Sequence, residues 1–286
     1  MILPATYQNG FAPRDGKPLY PSLWKGCVGA WNPGLGPSGL TLRDNSGFGN
    51  NGTLTNGPTY AASQGKYAMS FDGVNDYVDY GTEINIYGLS KFSCSFWLYK
   101  TANTSAWVVN HYSSGVSGTI DYFGAEVGSV IPRAECYFSG SSIANYLGFQ
   151  SADCITLNQW IHVVFSVDLV TTANTICTVN GLNKSLTVIT SGTPPTTFKA
   201  KNAIPWTTSK LVGVAGSPAY STLVCDDVML FSSFLSRETH RLLATRRGIA
   251  YEMAPRRRSS AQVTVAPLRY NLFSGSIGNT DVIGAS

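Results

Sequence analysis

Charge is scarce in this 286-residue chain: only 13% of residues are charged, against 12% aromatics and 29 glycines. Such a mixture argues against disorder in the middle of the chain and suits a broad β domain with many turns. No apolar run is long enough to span a membrane. The amino-terminal stretch MILPATYQNGFAPRDGKPLYPSLWKG lacks a basic region followed by a continuous apolar one, so no secretory signal is expected there. The expectation is a protein made in a host cytoplasm, which works there or leaves by another route such as lysis. The six cysteines contain no CxxC pair, which argues against a zinc or redox motif. Cys94, Cys177 and Cys225 sit in strand-like patterns and are expected as buried thiols, whereas Cys136 and Cys154 flank a Gly/Ser-rich stretch and could meet across a hairpin. The three histidines, His111, His162 and His240, lie far apart and beside no Ser or Cys nucleophile, so no triad is expected.

What is present is the grammar of antiparallel sheet. Ala68 to Gly81 (AMSFDGVNDYVDYG) reads as a strand, an Asp-Gly turn and a second strand, with the period-two alternation of a sheet that has one wet face. Leu42 to Pro58 is dense in Gly, Asn and Asp and reads as a loop. Lys91 to Lys100 (KFSCSFWLYK) alternates Phe92, Cys94, Phe96 and Leu98 with Ser93, Ser95, Trp97 and Tyr99, a strand with an aromatic second face. Gln159 to Asp168 is rich in β-branched and aromatic residues, and Thr175 to Lys184 carries an Asn-Gly hairpin signal. Val188 to Trp206 is a long Pro/Thr-rich connection. Ser236 to Arg247 predicts a short helix with a Ser cap, ended by Gly248.

Seven segments in order resemble the laminin-G-like branch of the concanavalin A-like lectin/glucanase superfamily. They are GCVGAW (Gly26 to Trp31), LRDNSGFGNNGTL (Leu42 to Leu54), SFDGVNDYV (Ser70 to Val78), FSCSFWLY (Phe92 to Tyr99), QWIHVVFSVD (Gln159 to Asp168), TVNG (Thr178 to Gly181) and CDDVMLFSSFLSRETHRLL (Cys225 to Leu243). The resemblance implies an all-β fold, a jelly-roll sandwich of two antiparallel sheets with one short carboxy-terminal helix. It divides the chain into an extended arm over residues 1–25, the jelly roll over 26–248, and a basic hinge with a second arm over 249–286. It leaves function open, because this fold carries hydrolases, lectins and adhesive modules. Retaining glucanases of the superfamily carry two Glu on one strand in a pattern like Glu-x-Asp-x-x-Glu, set about 5 Å apart. Here Glu83, Glu126, Glu135, Glu238 and Glu252 are isolated, and Gly128 and Pro132 separate Glu126 from Glu135. No catalytic residue is expected.

Three sets of contact residues follow. Hard-cation chemistry points to Ca2+ held by Asp44, Asn50 and Asp227, with Asp226 and Asp72 as further oxygen donors, although Asp and Asn in such loops also serve turn hydrogen bonds. Sugar C–H faces need aromatic platforms, for which Trp97, Tyr99, Trp107, Tyr112 and Tyr122 are candidates; the alternative is that they pack under arms and loops. Net charge is +4, and Arg246, Arg247 and Arg256 to Arg258 cluster near the end of the chain, as a soluble hinge or a contact with an acidic partner. With no interleaved aromatics, no specific nucleic acid is expected. Val263, Val265 and Leu268 could form one more strand, which with Arg256, Arg257 and Arg258 makes an assembly contact. The leading expectation is a non-catalytic display or adhesion module of a larger assembly, resembling decoration, fibre or capsid-associated proteins on a bacteriophage virion surface. Its partners would be other virion proteins, further copies of itself in a homo-oligomer, and cell-surface glycan. A free-standing calcium-dependent lectin and a divergent glycosidase, the latter needing two carboxylates brought together across strands, remain alternatives.

Overall fold

The computed structural model describes residues 21–34, 36–84, 86–111, 122–127, 133–139, 145–152, 154–198, 205–212 and 218–250. Its elements run α1 (Pro21–Trp24), β1 (Cys27–Trp31), β2 (Thr41–Leu42), β3 (Gly52–Thr55), β4 (Thr59–Ser63), β5 (Lys66–Asp72), β6 (Tyr77–Asp79), β7 (Lys91–Tyr99), β8 (Ala106–His111), β9 (Tyr122–Val127) and β10 (Ala134–Ser139). There follow β11 (Tyr146–Ser151), β12 (Trp160–Asp168), β13 (Ile176–Val179), β14 (Leu182–Lys184), β15 (Leu186–Ser191), β16 (Thr207–Thr208), β17 (Lys210–Val212), β18 (Pro218–Tyr220), β19 (Thr222–Phe231) and α2 (Arg237–Leu243). An eight-stranded sheet has the order β14-β13-β12-β7-β19-β5-β4 with β1 also on β19, and a nine-stranded sheet has the order β15-β11-β10-β9-β8-β16-β6-β3-β2. Every described strand pair is antiparallel, which confirms the sandwich that the sequence predicts.

The alternation in β7 sends Phe92, Cys94, Phe96 and Leu98 into the core between the sheets, opposite Val167, Phe165, Val163 and Ile161 of β12. Phe138, Leu147, Phe149, Val78 and Trp206 come to meet them from the other side. Cys177 and Cys225 are buried among them as free thiols. Cys136 and Cys154 are also free; Cys154 Sγ lies 3.1 Å from Ser151 Oγ, so the hairpin does not bring the two sulfurs together.

The wet second face expected for the Ala68–Gly81 strands takes another form. β5 and β6 do not pair: the Asp72 turn carries the chain from one sheet to the other. The outer face of the eight-stranded sheet is moreover covered at its centre. Leu23, Cys27, Ala30, Val164, Met229, Phe231, Leu243 and Ile249 form a second apolar cluster under α1 and α2. Burial on both faces explains why β12 is almost wholly buried along its length. The packed body therefore includes α1 at one end and Ile249 and Ala250 at the other, so the boundaries expected at residues 25 and 248 both fall inside it.

The helix begins as expected: Ser236 Oγ accepts the Thr239 N–H. Beneath it Ser93, Ser166, Thr178 and His240 bond to one another, while His162 Nδ1 and Trp97 Nε1 are buried without a hydrogen bond. Ser166 Oγ is 2.7 Å from both Ser93 Oγ and His240 Nε2, and His240 Nδ1 is 3.1 Å from Thr178 Oγ1. Burial pushes His240 down to about 4, helped by Arg237. His162, 2.9 Å from Ser95 Oγ, is pushed down to about 3 by burial and by the neighbouring His240. Both histidines are thus neutral structural groups.

The chain beyond α2 is held by a buried carboxylate pair. A bulge between Asp226 and Met229 breaks the pairing of β19 with β7, and Asp227 takes a left-handed φ of 46°. Asn32 Nδ2 donates to Oδ1 of Asp226 (2.8 Å) and of Asp227 (2.6 Å). Asp227 also accepts the N–H groups of Gly248, Ile249 (3.0 Å) and Ala250 (3.3 Å). Arg247, expected in a solvated basic run, is instead buried: its Nε lies 3.5 Å from Asp226 Oδ2 and its guanidinium 3.9 Å above the Trp160 ring.

The chain divides into two units, residues 1–256 and 257–286. Arg256, Arg257, Arg258, Val263, Val265 and Leu268 all lie outside the described residues.

Candidate functional site

The outer face of the nine-stranded sheet carries several partly exposed aromatic side chains among the described residues. In β10, Ala134, Cys136 and Phe138 point into the core, so Glu135, Tyr137 and Ser139 stand on the opposite face. Register places Tyr137 between Gly124 of β9 and Gly148 of β11. Gly148 leaves room for the phenol ring to lie on the sheet: a Cβ built on it would come 2.7 Å from ring atoms Cδ1 and Cε1. The Tyr137 hydroxyl donates to Glu135 Oε2 at 2.6 Å and accepts from Gln150 Nε2, while Arg133 Nε donates to Glu135 Oε1. That bond raises the Arg133 guanidinium further above its ordinary value. Tyr137 is therefore a half-exposed ring fixed at both ends, with its orientation set before any ligand arrives.

Two more aromatics share this sheet's outer side. A bulge between Trp107 and Val109 sends both Val108 and Val109 into the core and leaves Trp107 half-buried. Its backbone is clamped by Ser209 N–H donating to Trp107 O at 2.8 Å and by Trp107 N–H donating to Ser221 Oγ at 3.0 Å. Tyr146, opposite Ser139, is also half-buried. From interstrand spacing of about 4.8 Å and a rise of about 3.3 Å per residue, the Cα atoms of Tyr137 and Tyr146 lie about 8 Å apart and those of Trp107 and Tyr137 about 12 Å. Further along, Lys210 Nζ sits 4.0 Å over the Tyr77 ring, with Tyr220 6.2 Å from Tyr77.

The five aromatics proposed from sequence do not form one face. Trp107 is on this surface. Trp97 and Tyr99 belong to β7 in the other sheet, where period-two alternation turns them to its covered side: Trp97 packs 4.9 Å from His162, and Tyr99 5.8 Å from the Trp160 ring that Arg247 caps. The packing alternative holds for these two. Tyr112 lies outside the described residues; Tyr122 begins β9, in register with Ser139, and its side chain is not described. Tyr137 was missed because it follows no strong strand pattern, and what marks it is a register no single strand reveals. The legible hint was Gly148 inside an otherwise apolar strand, a sign of close approach from a neighbour.

The residues expected to hold calcium make the following contacts within the fold. Asp44 Oδ1 accepts the N–H groups of Ala30 (3.0 Å) and Ser46 (2.8 Å), and Oδ2 accepts from Ser46 Oγ (2.6 Å) and Asn50 N (3.0 Å). Asn50 donates its side-chain Nδ2 to Val28 O, and its backbone carbonyl accepts from Trp31 Nε1. Asp227 is taken by Asn32 and the three N–H groups after α2, and Asp226 by Asn32 and Arg247. Asp72 Oδ1 accepts Val74 N–H within its own turn. Asp44 and Asp227 thus organise loops by receiving donors, whereas Asp226 Oδ2 is buried without a hydrogen bond and meets only the Arg247 guanidinium. Among the described residues no three His, Cys, Asp or Glu side chains gather as a metal cage.

Glu126 and Glu135, on consecutive strands, are directly opposite in the β9–β10 register. Glu135 is buried and committed to Arg133 and Tyr137, which makes it a positioning group for the aromatic ring.

A family model described as the concanavalin A-like lectin/glucanases superfamily matches residues 72–239. Among solved structures, the chain is similar to the binding domain of Paraclostridial mosquitocidal protein 1 (TM-score 0.55, 13% identity, 78% of this chain and 52% of that one). It is equally similar to a botulinum neurotoxin type C structure, from work on cell entry through two ganglioside molecules (TM-score 0.55, 12% identity, 78% and 52%). Domain 4 of AbnA, an extracellular GH43 arabinanase of Geobacillus stearothermophilus, in complex with arabinotriose, matches at TM-score 0.54 and 16% identity over 76% of this chain and 98% of that one. The chain thus spans about half of the toxin structures and nearly all of the arabinanase domain. At these identities the likeness establishes the fold alone. No curated protein matches in sequence.

Proposed function

The chain belongs to the concanavalin A-like lectin/glucanases superfamily, and on that fold we propose that it acts as a non-catalytic glycan-binding module whose ligand surface is the outer face of the nine-stranded sheet. The observation that carries this reading is Tyr137, a half-exposed ring laid over Gly148 with its hydroxyl tied to Glu135 and Gln150. A flat, pre-oriented aromatic offers its face to sugar C–H groups, and its fixed rotamer lowers the ordering cost of binding. Trp107 and Tyr146 extend the platform across strands β8 to β11. Supporting the reading are structurally similar domains described with arabinotriose or as dependent on gangliosides.

A glycan array read with the folded wild type and with Tyr137→Ala tests it. The expected outcome is binding that falls about tenfold or more in the variant, the range of a central aromatic contact; full binding by a folded Tyr137→Ala protein refutes the surface assignment. The wider setting we assign is display on a larger assembly such as a bacteriophage particle, supported by the basic Arg256–Arg258 run and the alternating Val263, Val265 and Leu268 that follow the packed body. Removal of residues 254–286 is then expected to leave the sandwich folded and to abolish docking; a truncated chain that still incorporates into particles refutes this setting.

A further inference from the structure

A cleft of about 350 Å³ opens on the eight-stranded sheet, where β7 begins, β12 ends and the chain enters α2. That volume is at the lower end of small-molecule sites. Its inner wall is organised by Asp168, 1% exposed and opposite Lys91 in the β7–β12 register. Asp168 Oδ1 accepts the N–H groups of Val170 (3.1 Å) and Thr171 (2.8 Å); Oδ2 accepts Asn174 Nδ2 (3.1 Å) and pairs with Lys91 Nζ (3.1 Å). Burial opposes its ionisation, but these hydrogen bonds hold it down to about 2. The carboxylate is fully engaged and serves to aim Asn174 and Lys91.

Lys91 keeps 53% of its side chain exposed, and Arg237, exposed at the start of α2, lines the same cleft. Two cations therefore converge on a wall with one carboxylate, itself satisfied from within. The remaining lining is the half-buried Phe234 and Ile176, the Asn174 amide and the Ser236 hydroxyl. Two cations, apolar surface, an amide and a hydroxyl lining one cleft match a ligand with a carboxylate, a ring with C–H faces, and hydroxyls. Sulfate or phosphate would use the cations and leave the apolar wall idle; a neutral sugar would do the reverse.

We propose that this cleft binds a sugar acid, a carboxylate-bearing pyranose, with its carboxylate between Lys91 and Arg237, its ring against Phe234 and Ile176, and a hydroxyl at Asn174. The assignment rests on the glycan-binding reading above but uses the other sheet, so an acidic sugar and a neutral chain occupy separate surfaces. The test is calorimetric titration of the full chain with N-acetylneuraminic acid and galacturonic acid, beside galactose and sodium sulfate, on wild type and on Arg237→Gln and Phe234→Ala. The expected result is sugar-acid binding that weakens fivefold or more in either variant and falls as salt rises. Neutral oligosaccharide at saturation does not displace it. Arg237 is exposed, so its variant is expected to melt with the wild type. Sulfate binding as tightly as the sugar acids, galactose binding equally well, or unchanged affinity in folded Arg237→Gln overturns the proposal. If neutral oligosaccharides bind while sugar acids do not, the cleft assignment falls and the sheet surface stands. If no glycan of either kind binds the folded chain, both readings fall.

Discussion

Gly148→Ala is the sharpest perturbation of the proposed surface, because it adds one methyl without removing any contact. That methyl would stand 2.7 Å from Cδ1 and Cε1 of Tyr137 and 3.7 Å from Cβ of Ile189. Ordinary carbon contacts lie near 3.5–4.0 Å, so the ring must lift by about 1 Å. A hydroxyl held 2.6 Å from Glu135 and bonded to Gln150 cannot follow without loosening both bonds, each contributing about 1 kcal/mol. Overpacking costs about 1–3 kcal/mol, against about 0.5–1 kcal/mol gained by replacing a strand glycine. The net loss is about 1–2 kcal/mol, or about 2–8 °C in a domain of this size. Affinity for any glycan on the ring falls about tenfold, since 1.4 kcal/mol of lost pre-orientation is a factor of ten. Thermal melting and titration of Gly148→Ala, Tyr137→Ala and the double variant measure this as a cycle. Once the ring is gone the methyl keeps only its ordinary 3.7 Å contact with Ile189 Cβ, so the double variant should be no less stable than Tyr137→Ala alone. A Gly148→Ala protein that melts and binds like wild type, or losses that simply add, refutes the claim that the glycine exists to seat the ring.

Asp227→Ala, which strips four donors of their buried acceptor, should cost about 3–5 kcal/mol in denaturant unfolding and raise hydrogen exchange at residues 248–250; a loss under about 1 kcal/mol counts against the latch. Titration has two opposing limbs. Burial and, for Asp226, the neighbouring Asp227 charge hold this pair above the ordinary carboxylate value of about 4, so the folded state holds extra protons and stability declines as pH rises above it. His162 and His240, depressed to about 3 and 4, act oppositely: their contribution is full above the unfolded value of about 6.5 and is lost as pH falls towards 4. Stability should thus be nearly flat from pH 4 to 6.5 and decline above 6.5; an Asp226→Asn protein that keeps the alkaline decline would contradict this. Chelator should leave the melting temperature unchanged, because Asp44 and Asp227 are filled by donors; a fall of more than a few degrees would reinstate a cation site.

Local pattern carried the strands and the fold class. The alternation of Phe92, Cys94, Phe96 and Leu98, the Asn180-Gly181 turn with φ values of 50° and 74°, and the Ser236 cap are all local, and each is found where the sequence places it. Burial of the cysteines follows from the same strand patterns. What a strand's second face meets is not local. Ser93, Ser95, Trp97 and Tyr99 read only as an aromatic second face, and segments from both ends of the packed body, Leu23 and Ile249, close over the centre of that sheet. Nor is register local: it sets Tyr137 between two glycines and Glu126 against Glu135, pairings made by hydrogen bonds between strands whose separation along the chain says nothing of their alignment. The sequence by itself determined an antiparallel sandwich, because period two and turn chemistry act within a few residues. The tertiary structure alone decided that Asp44 and Asp227 accept N–H groups and that the aromatic surface lies on the nine-stranded sheet, because both depend on which distant backbone stands opposite each side chain.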